Sequence, residues 1–321
     1  MRKIICIYQV NQYFCLNKLC YLKLCKCMNI FKKVMVAMDL TKTDEWVVKY
    51  TGFLLNKTGA NKVYCIHIEP DFEVPPEMKE KYGQEFEMES LDEKMRHRME
   101  EIVKHHMTTD TQVEIEYEVL EGSPFEKLVH WAKVKGADLL VAGKKKVSEG
   151  SGIVAKKVAR QTESSVLFVP HGAEAKITKI LVPIDFSEHA AKALKCAMEL
   201  AGATNNAKVI AMNVFDIPTV NYYYIGQNYG QFTALILENA QNAYDIFAEK
   251  YNIDKSKVEA VFEENIYLSP AKHINEYTRK HNIDLIVMGA KGHSAMEVFF
   301  YGSVTESLLT YNEDVPLLVI R

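Results

Sequence analysis

Short apolar runs alternate along the chain with stretches whose apolar residues recur at helical spacing. The order is plainest in the second half. Residues 179–184 form an apolar run closed by Asp185, the pattern of a parallel strand buried on both faces. Ser187 follows as an N-cap, and Ala190, Leu194, Ala197, Met198 and Ala201 fall on one helical face. A second strand is predicted at 209–214, a long helix at 232–251 and a third strand at 258–262. Ser269 and Pro270 give an N-cap followed by proline at the first helical position. A fourth strand at 284–288 leads into a glycine-bearing loop, a helix ending near Tyr311 and a last strand at 316–320. Residues 33–169 repeat this order. Strands alternating with helices predict an α/β fold, with a parallel sheet covered on both faces.

The two halves are copies. Residues 34–39 (VMVAMD) resemble 180–185 (ILVPID) at an offset of 146. The same offset relates Lys62-Val63 to Lys208-Val209, Ser123-Pro124 to Ser269-Pro270, and 137–143 (ADLLVAG) to 283–289 (IDLIVMG). A period this long makes each copy a complete fold, not a solenoid unit. The expected domains are 29–174 and 175–321.

Composition agrees and excludes alternatives. A chain of 321 residues is long for one domain, and 48% hydrophobic with 25% charged residues is ordinary for a globular protein. It is neither a disordered chain nor one with many membrane spans. A net charge of −3 does not suit a protein that coats nucleic acid. Residues 1–28 stand apart: they hold Cys6, Cys15, Cys20, Cys25 and Cys27, five of the seven cysteines, with five basic residues and no acid. Their spacing fits no standard zinc site, and Asn11, Gln12, Asn17 and Lys18 interrupt what would be a signal-peptide core. The reading adopted is an extension outside the fold, or a start assigned too early with Met28 as the true one. Cys65 and Cys196 then read as buried, reduced thiols of a cytoplasmic protein.

In an open parallel sheet, ligands bind beyond the carboxyl ends of the strands. Two features stand there in the second copy. Asp185 ends strand one, where a carboxylate could accept from a ribose hydroxyl or an adenine amino group. Gly289, Gly292, Gly302 and Ser303 follow strand four, where glycines admit phosphate oxygens to the backbone and a helix start favours anions. The plain alternatives are a turn for each glycine and an N-cap for the aspartate. Neither G-x-G-x-x-G nor G-x-x-x-x-G-K-[ST] occurs.

The run 182–188 (VPIDFSE) and the spacing Gly289-x2-Gly292-x9-Gly302-Ser303 resemble the universal stress protein family, and the chain as a whole resembles its tandem form. That resemblance covers about 29–321. It implies two doubly wound domains, each a five-stranded parallel sheet of order 3-2-1-4-5, paired through their last strands. It implies ATP as ligand, with Asp185 near the adenosine, Pro183 and the Val214 backbone flanking adenine, and Gly289, Gly292, Gly302 and Ser303 holding ribose and phosphates. The first copy departs from the motif: Lys146 replaces the second glycine, the helix start at Gly152 is followed by Ile153 in place of the hydroxyl, and the loop is four residues shorter. One working site, in the second copy, is therefore expected. Lys144, Lys145, Lys146, Lys156 and Lys157 could still attract an anion, but the reading adopted is a solvated face.

Other features are weaker. His105 and His106 are adjacent on a helix and make a poor metal pair. The segment from Tyr222 to Phe232 could serve as a lid, a dimer contact or a packed loop. The acidic stretch 71–92 reads as loop and helix start, and Trp46 and Trp131 as packing residues. No catalytic residue or metal ligand is assigned. Three functions remain: a nucleotide-binding stress or regulatory protein, a slow ATPase using Mg2+ with His293 or Glu297 near the phosphates, and a nucleotide-free scaffold. The expected partners are an adenine nucleotide, the other copy within the chain and, further out, a second chain, but neither nucleic acid nor membrane.

Overall fold

The structure is a computed structural model that describes residues 30–69, 88–144, 157, 160–217, 229–291 and 302–321. The 1–28 extension, the stretch 71–87 and the segment 222–228 lie outside these residues. The first copy runs β1 (Lys33–Met38), α1 (Thr43–Thr58), β2 (Lys62–Glu69), α2 (Met88–His106), β3 (Glu114–Glu121), α3 (Pro124–Lys135), β4 (Leu139–Lys144) and β5 (Ser165–Pro170). The second runs β6 (Lys179–Pro183), α4 (Glu188–Ala203), β7 (Lys208–Phe215), α5 (Tyr229–Lys250), β8 (Val258–Glu264), α6 (Pro270–His281), β9 (Leu285–Gly289), α7 (Ser303–Tyr311) and β10 (Leu317–Ile320).

All ten strands form one sheet, in the order β3-β2-β1-β4-β5-β10-β9-β6-β7-β8. Each half is parallel and has the expected order 3-2-1-4-5. The halves meet where β5 and β10 pair antiparallel, with Leu317 opposite Phe168 and Val319 opposite Val166. The central strands are apolar on both faces because helices cover both. One layer packs Val36, Val47, Met99, Leu194 and Phe247; the other packs Met35, Leu128, Leu140, Ile274, Ile286 and Leu308. Trp46 meets His171 edge-on at 5.4 Å, and Trp131 lies under the Lys135 ammonium at 5.1 Å, so both are packing residues as expected.

The offset of 146 holds in register as well as in sequence. Lys33 pairs Lys62 and Lys179 pairs Lys208. It breaks at the third strand and is restored: Glu69 pairs Glu121, but its counterpart Phe215 pairs Glu264, 143 residues further on. The second copy thus reaches its third strand three residues early. It returns to step through a longer loop before Ser269, which carries the exposed Ile266, Tyr267 and Leu268. The offset breaks again at the last strand, where Leu140 pairs Val166 but its counterpart Ile286 pairs Leu317, 151 residues further on. Cys65 and Cys196 are buried and unbridged, and burial pushes both thiols up to about 12, so they stay protonated.

Candidate functional site

A cavity of about 320 Å3 opens beyond the carboxyl ends of β6, β7 and β9, at the point where the strand order of the second copy reverses. Pro183 and Asp185 line it from the end of β6, Val214 from β7, Gly289 from β9, and Gly302 and Ser303 from the start of α7. Six of the seven residues expected from the sequence are thereby brought together. Gly292 lies outside the described residues, as do His293 and Glu297. The walls are mostly apolar, from Met212, Ile274, Met288 and Val304, with polar groups at a few points, as in small-molecule sites generally. Sequence reading missed Ala190, Asn213 and Lys291, which also line it. Lys291 sat inside the glycine motif as a variable position, and Asn213 is recognisable only once β7 is laid beside β6.

Local hydrogen bonds set these residues in place. Asp185 Oδ1 accepts from the Ser187 N–H at 3.1 Å, closing a turn in which Phe186 takes a left-handed φ of 66°. Ser187 Oγ then accepts from the Ala190 N–H at 3.2 Å and caps α4. The plain alternative for Asp185 was an N-cap, but the cap is Ser187; Asp185 closes the turn before it while also edging the cavity. Asn213 Nδ2 donates to the Ile184 carbonyl at 2.9 Å and ties β7 to the end of β6. At the other wall, the Gly302 N–H donates to Ala290 O at 3.0 Å, and Thr305 Oγ1 donates to Gly289 O at 3.3 Å. These bonds aim the amino end of α7, with its orphan N–H groups and positive dipole end, at the cavity. Beside it, burial and then Lys192 hold the His189 imidazole below its usual range.

Gly289 has a reason to be glycine that the sequence did not reveal. A Cβ there would lie 2.7 Å from the carbonyl carbon of His189, in the first turn of α4. Gly143 is tight at the same place but against side chains: its Cβ would meet Thr43 Cγ2 at 2.8 Å, and Thr43 is the counterpart of His189. Both copies therefore keep this glycine so that a helix can press against the end of a strand.

The first copy is built differently at the same place. Ala190 is replaced by Asp44, which is 2% exposed and accepts from the N–H groups of Leu40 at 2.8 Å and Asp39 at 3.3 Å. Burial, and then the charge of Asp39, push Asp44 up to about 7. Asn213 is replaced by His67. Its Nδ1 reaches the Met38 carbonyl at 2.9 Å, the same tie that Asn213 makes, and its Nε2 reaches Glu69 at 2.8 Å. Neutral lining in one copy is thus ionisable in the other. Lys146, Gly152 and Ile153 lie outside the described residues. The expectation of a solvated lysine face needs correction at Lys144. It is 7% exposed, and its ammonium donates to the Asn312 carbonyl of the second copy, because β4 lies only one strand from the seam between the halves. Lys157 is exposed as expected.

Among the described residues no cluster of His, Cys, Asp and Glu could hold a metal ion, and no helix is long and apolar enough to cross a membrane. His105 is exposed and bonds the Glu101 carbonyl of its own helix.

The fold and cleft define a class: paired, doubly wound α/β domains with a small-molecule-sized cavity at a topological switch point. The profile of the universal stress protein family matches the chain twice, over residues 30–170 and 176–321. The chain belongs to that family, as a tandem of two of its domains. A universal stress protein of Methanocaldococcus jannaschii is 31% identical over 147 residues, which is 44% of this chain and 81% of that one. A putative universal stress protein of Staphylococcus aureus strain USA300 is 30% identical over 145 residues, 44% of this chain and 82% of its own. Among solved structures, a universal stress protein from Archaeoglobus fulgidus shares the fold with a TM-score of 0.58 at 17% identity, covering 90% of this chain and 98% of its own. A putative universal stress protein from Pseudomonas aeruginosa does so with a TM-score of 0.60 at 13% identity, covering 90% and 93%.

Proposed function

We propose that the chain is a cytoplasmic, nucleotide-binding regulatory protein of the stress response that holds ATP in its second domain. The observation that carries this reading is the cavity itself. Four separate stretches of sequence, at 183–185, 214, 289–291 and 302–305, converge on one space with an apolar interior, a carboxylate at one edge and a helix amino terminus with Lys291 at the other. In this reading Pro183 and Val214 flank the adenine. Asp185 accepts from the ribose or base, Lys291 supplies positive charge, and Gly302, Ser303 and the α7 backbone receive the phosphates, with Mg2+ entering on the nucleotide. Occupancy regulates the protein's contacts, and turnover is not its purpose. A slow ATPase is separated from this reading by measuring phosphate release from ATP in wild type and in Asp185→Ala.

Mass analysis of the small molecule retained by the purified protein tests the ligand class, and an adenine nucleotide is expected. In a titration, Gly302→Val is expected to weaken ATP binding at least tenfold by placing a branched side chain where phosphate approaches the backbone. Unchanged affinity in that variant refutes the assigned phosphate site.

A further inference from the structure

Helix α7 carries the phosphate end of the proposed site, and the first domain grips it at both ends. It has nine residues, too few to stand as a helix without tertiary support. Near its amino end, Glu306 Oε1 is 2.9 Å from the Arg160 Nε of the first domain. Past its carboxyl end, the buried Asn312 gives its carbonyl to Lys144 of the first domain. Arg160 is itself held in place, because Arg321 Nη2 donates to its carbonyl at 2.9 Å. A second cavity, of about 340 Å3, runs along the outer side of α7 and is lined by Arg160, Ser303 and Glu306; Ser303 lines the nucleotide cavity as well. Arg160 thus sits one helical turn from the residue that would meet phosphate.

The charges make this arrangement specific. A carboxylate in the first turn of a helix favours the helix but opposes a second anion at the same end. Glu306 is such a carboxylate, only three positions after Ser303. Arg160 neutralises it from the other domain. Lys144 complements the negative end of the helix dipole.

We infer that the first domain is a built-in clamp and charge-compensator for α7, so that Arg160, and in support Lys144, set the affinity of the second domain for the phosphates of its nucleotide. This inference rests on the reading of the cavity as a nucleotide site. Arg160 and Lys144 act through α7 and are positioning residues. The first copy is then kept because its seam residues tune the other site.

The test uses the full chain and two probes, ATP and adenosine, in calorimetric titrations of wild type, Arg160→Ala, Glu306→Gln and the double variant. Arg160→Ala should weaken ATP roughly two- to fivefold, the size of effect fitting a half-exposed ion pair, and leave adenosine unchanged. Glu306→Gln alone should tighten ATP, and in the double variant it should cancel the loss. A purely structural role for Arg160 would weaken both ligands together. In Lys144→Met, amide hydrogen exchange across 303–312 should quicken in the nucleotide-free protein. Equal losses for ATP and adenosine, or ATP affinity indifferent to both Arg160→Ala and Glu306→Gln, overturns the inference while leaving the nucleotide site standing. Failure of wild type to bind either probe overturns the nucleotide reading and this inference with it.

Discussion

Positions 44 and 190 occupy equivalent places at the start of equivalent helices, yet one holds a buried carboxylate and the other a methyl group. Asp44 uses its oxygens on the N–H groups of residues 39 and 40. Transplanting it tests whether this residue separates a nucleotide site from a degenerate one. Ala190→Asp should abolish ATP binding in the second domain, by filling the cavity and repelling phosphate, with the overall secondary structure by circular dichroism retained. The Asp44 carboxyl also links stability to pH. Its value is raised from 3.8 to about 7 on folding, so the folded state binds the proton more tightly. Its stabilising contribution is complete below about pH 4 and is lost as pH rises through 7. In Asp44→Asn, the fall in unfolding free energy between pH 5 and pH 8 should shrink by about 2–4 kcal/mol, read by urea denaturation. Residues such as these were the least legible in the sequence. An aspartate in a first helical turn reads as an ordinary cap, and a lysine in a basic run reads as surface. The burial of Asp44 and Lys144 is decided by which neighbours pack over them, α1 against β1 in one case and the seam in the other.

At the scale of the element, the alternation of strand and helix was legible almost throughout, because buried parallel strands are continuous apolar runs and the helix starts carry strong caps. Ser269 with Pro270 starts α6 where expected, and the Ser269 side chain accepts from the Lys272 N–H. What the pattern could not reveal was the compensated shift before and after β8, because two opposite changes of three residues leave the outer landmarks in step. Nor could it reveal why Gly289 is glycine. The close approach of α4 makes a direct prediction: Gly289→Ala should destabilise the protein by about 1–3 kcal/mol, measured by denaturation without nucleotide, because the new methyl meets His189 backbone that cannot yield easily. A loss of nucleotide binding without any loss of stability would mean that the packing reason is wrong. Ser187→Ala should cost about 1 kcal/mol through the lost cap of α4.

Across the whole molecule, the antiparallel junction of β5 and β10 turns two five-stranded sheets into one, with Val166, Phe168, Leu317 and Val319 sharing a core layer across it. Both tryptophans, Trp46 and Trp131, lie in the first half. They therefore report whether damage in the second half is felt in the first. Val319→Asp places an unpaired charge at a fully buried site and should cost more than about 3 kcal/mol. The denaturation midpoint by tryptophan fluorescence should fall together with that by circular dichroism; an unmoved fluorescence midpoint would mean that the halves fold independently. The difference between the two joined copies underlies the central claim, that a duplicated chain carries one nucleotide site and one degenerate counterpart. Native mass spectrometry of the intact chain across a range of ATP concentrations tests it most directly. One bound nucleotide per chain, saturating in a single step, is the predicted result. Two nucleotides taken up with similar affinity, or none, would contradict it.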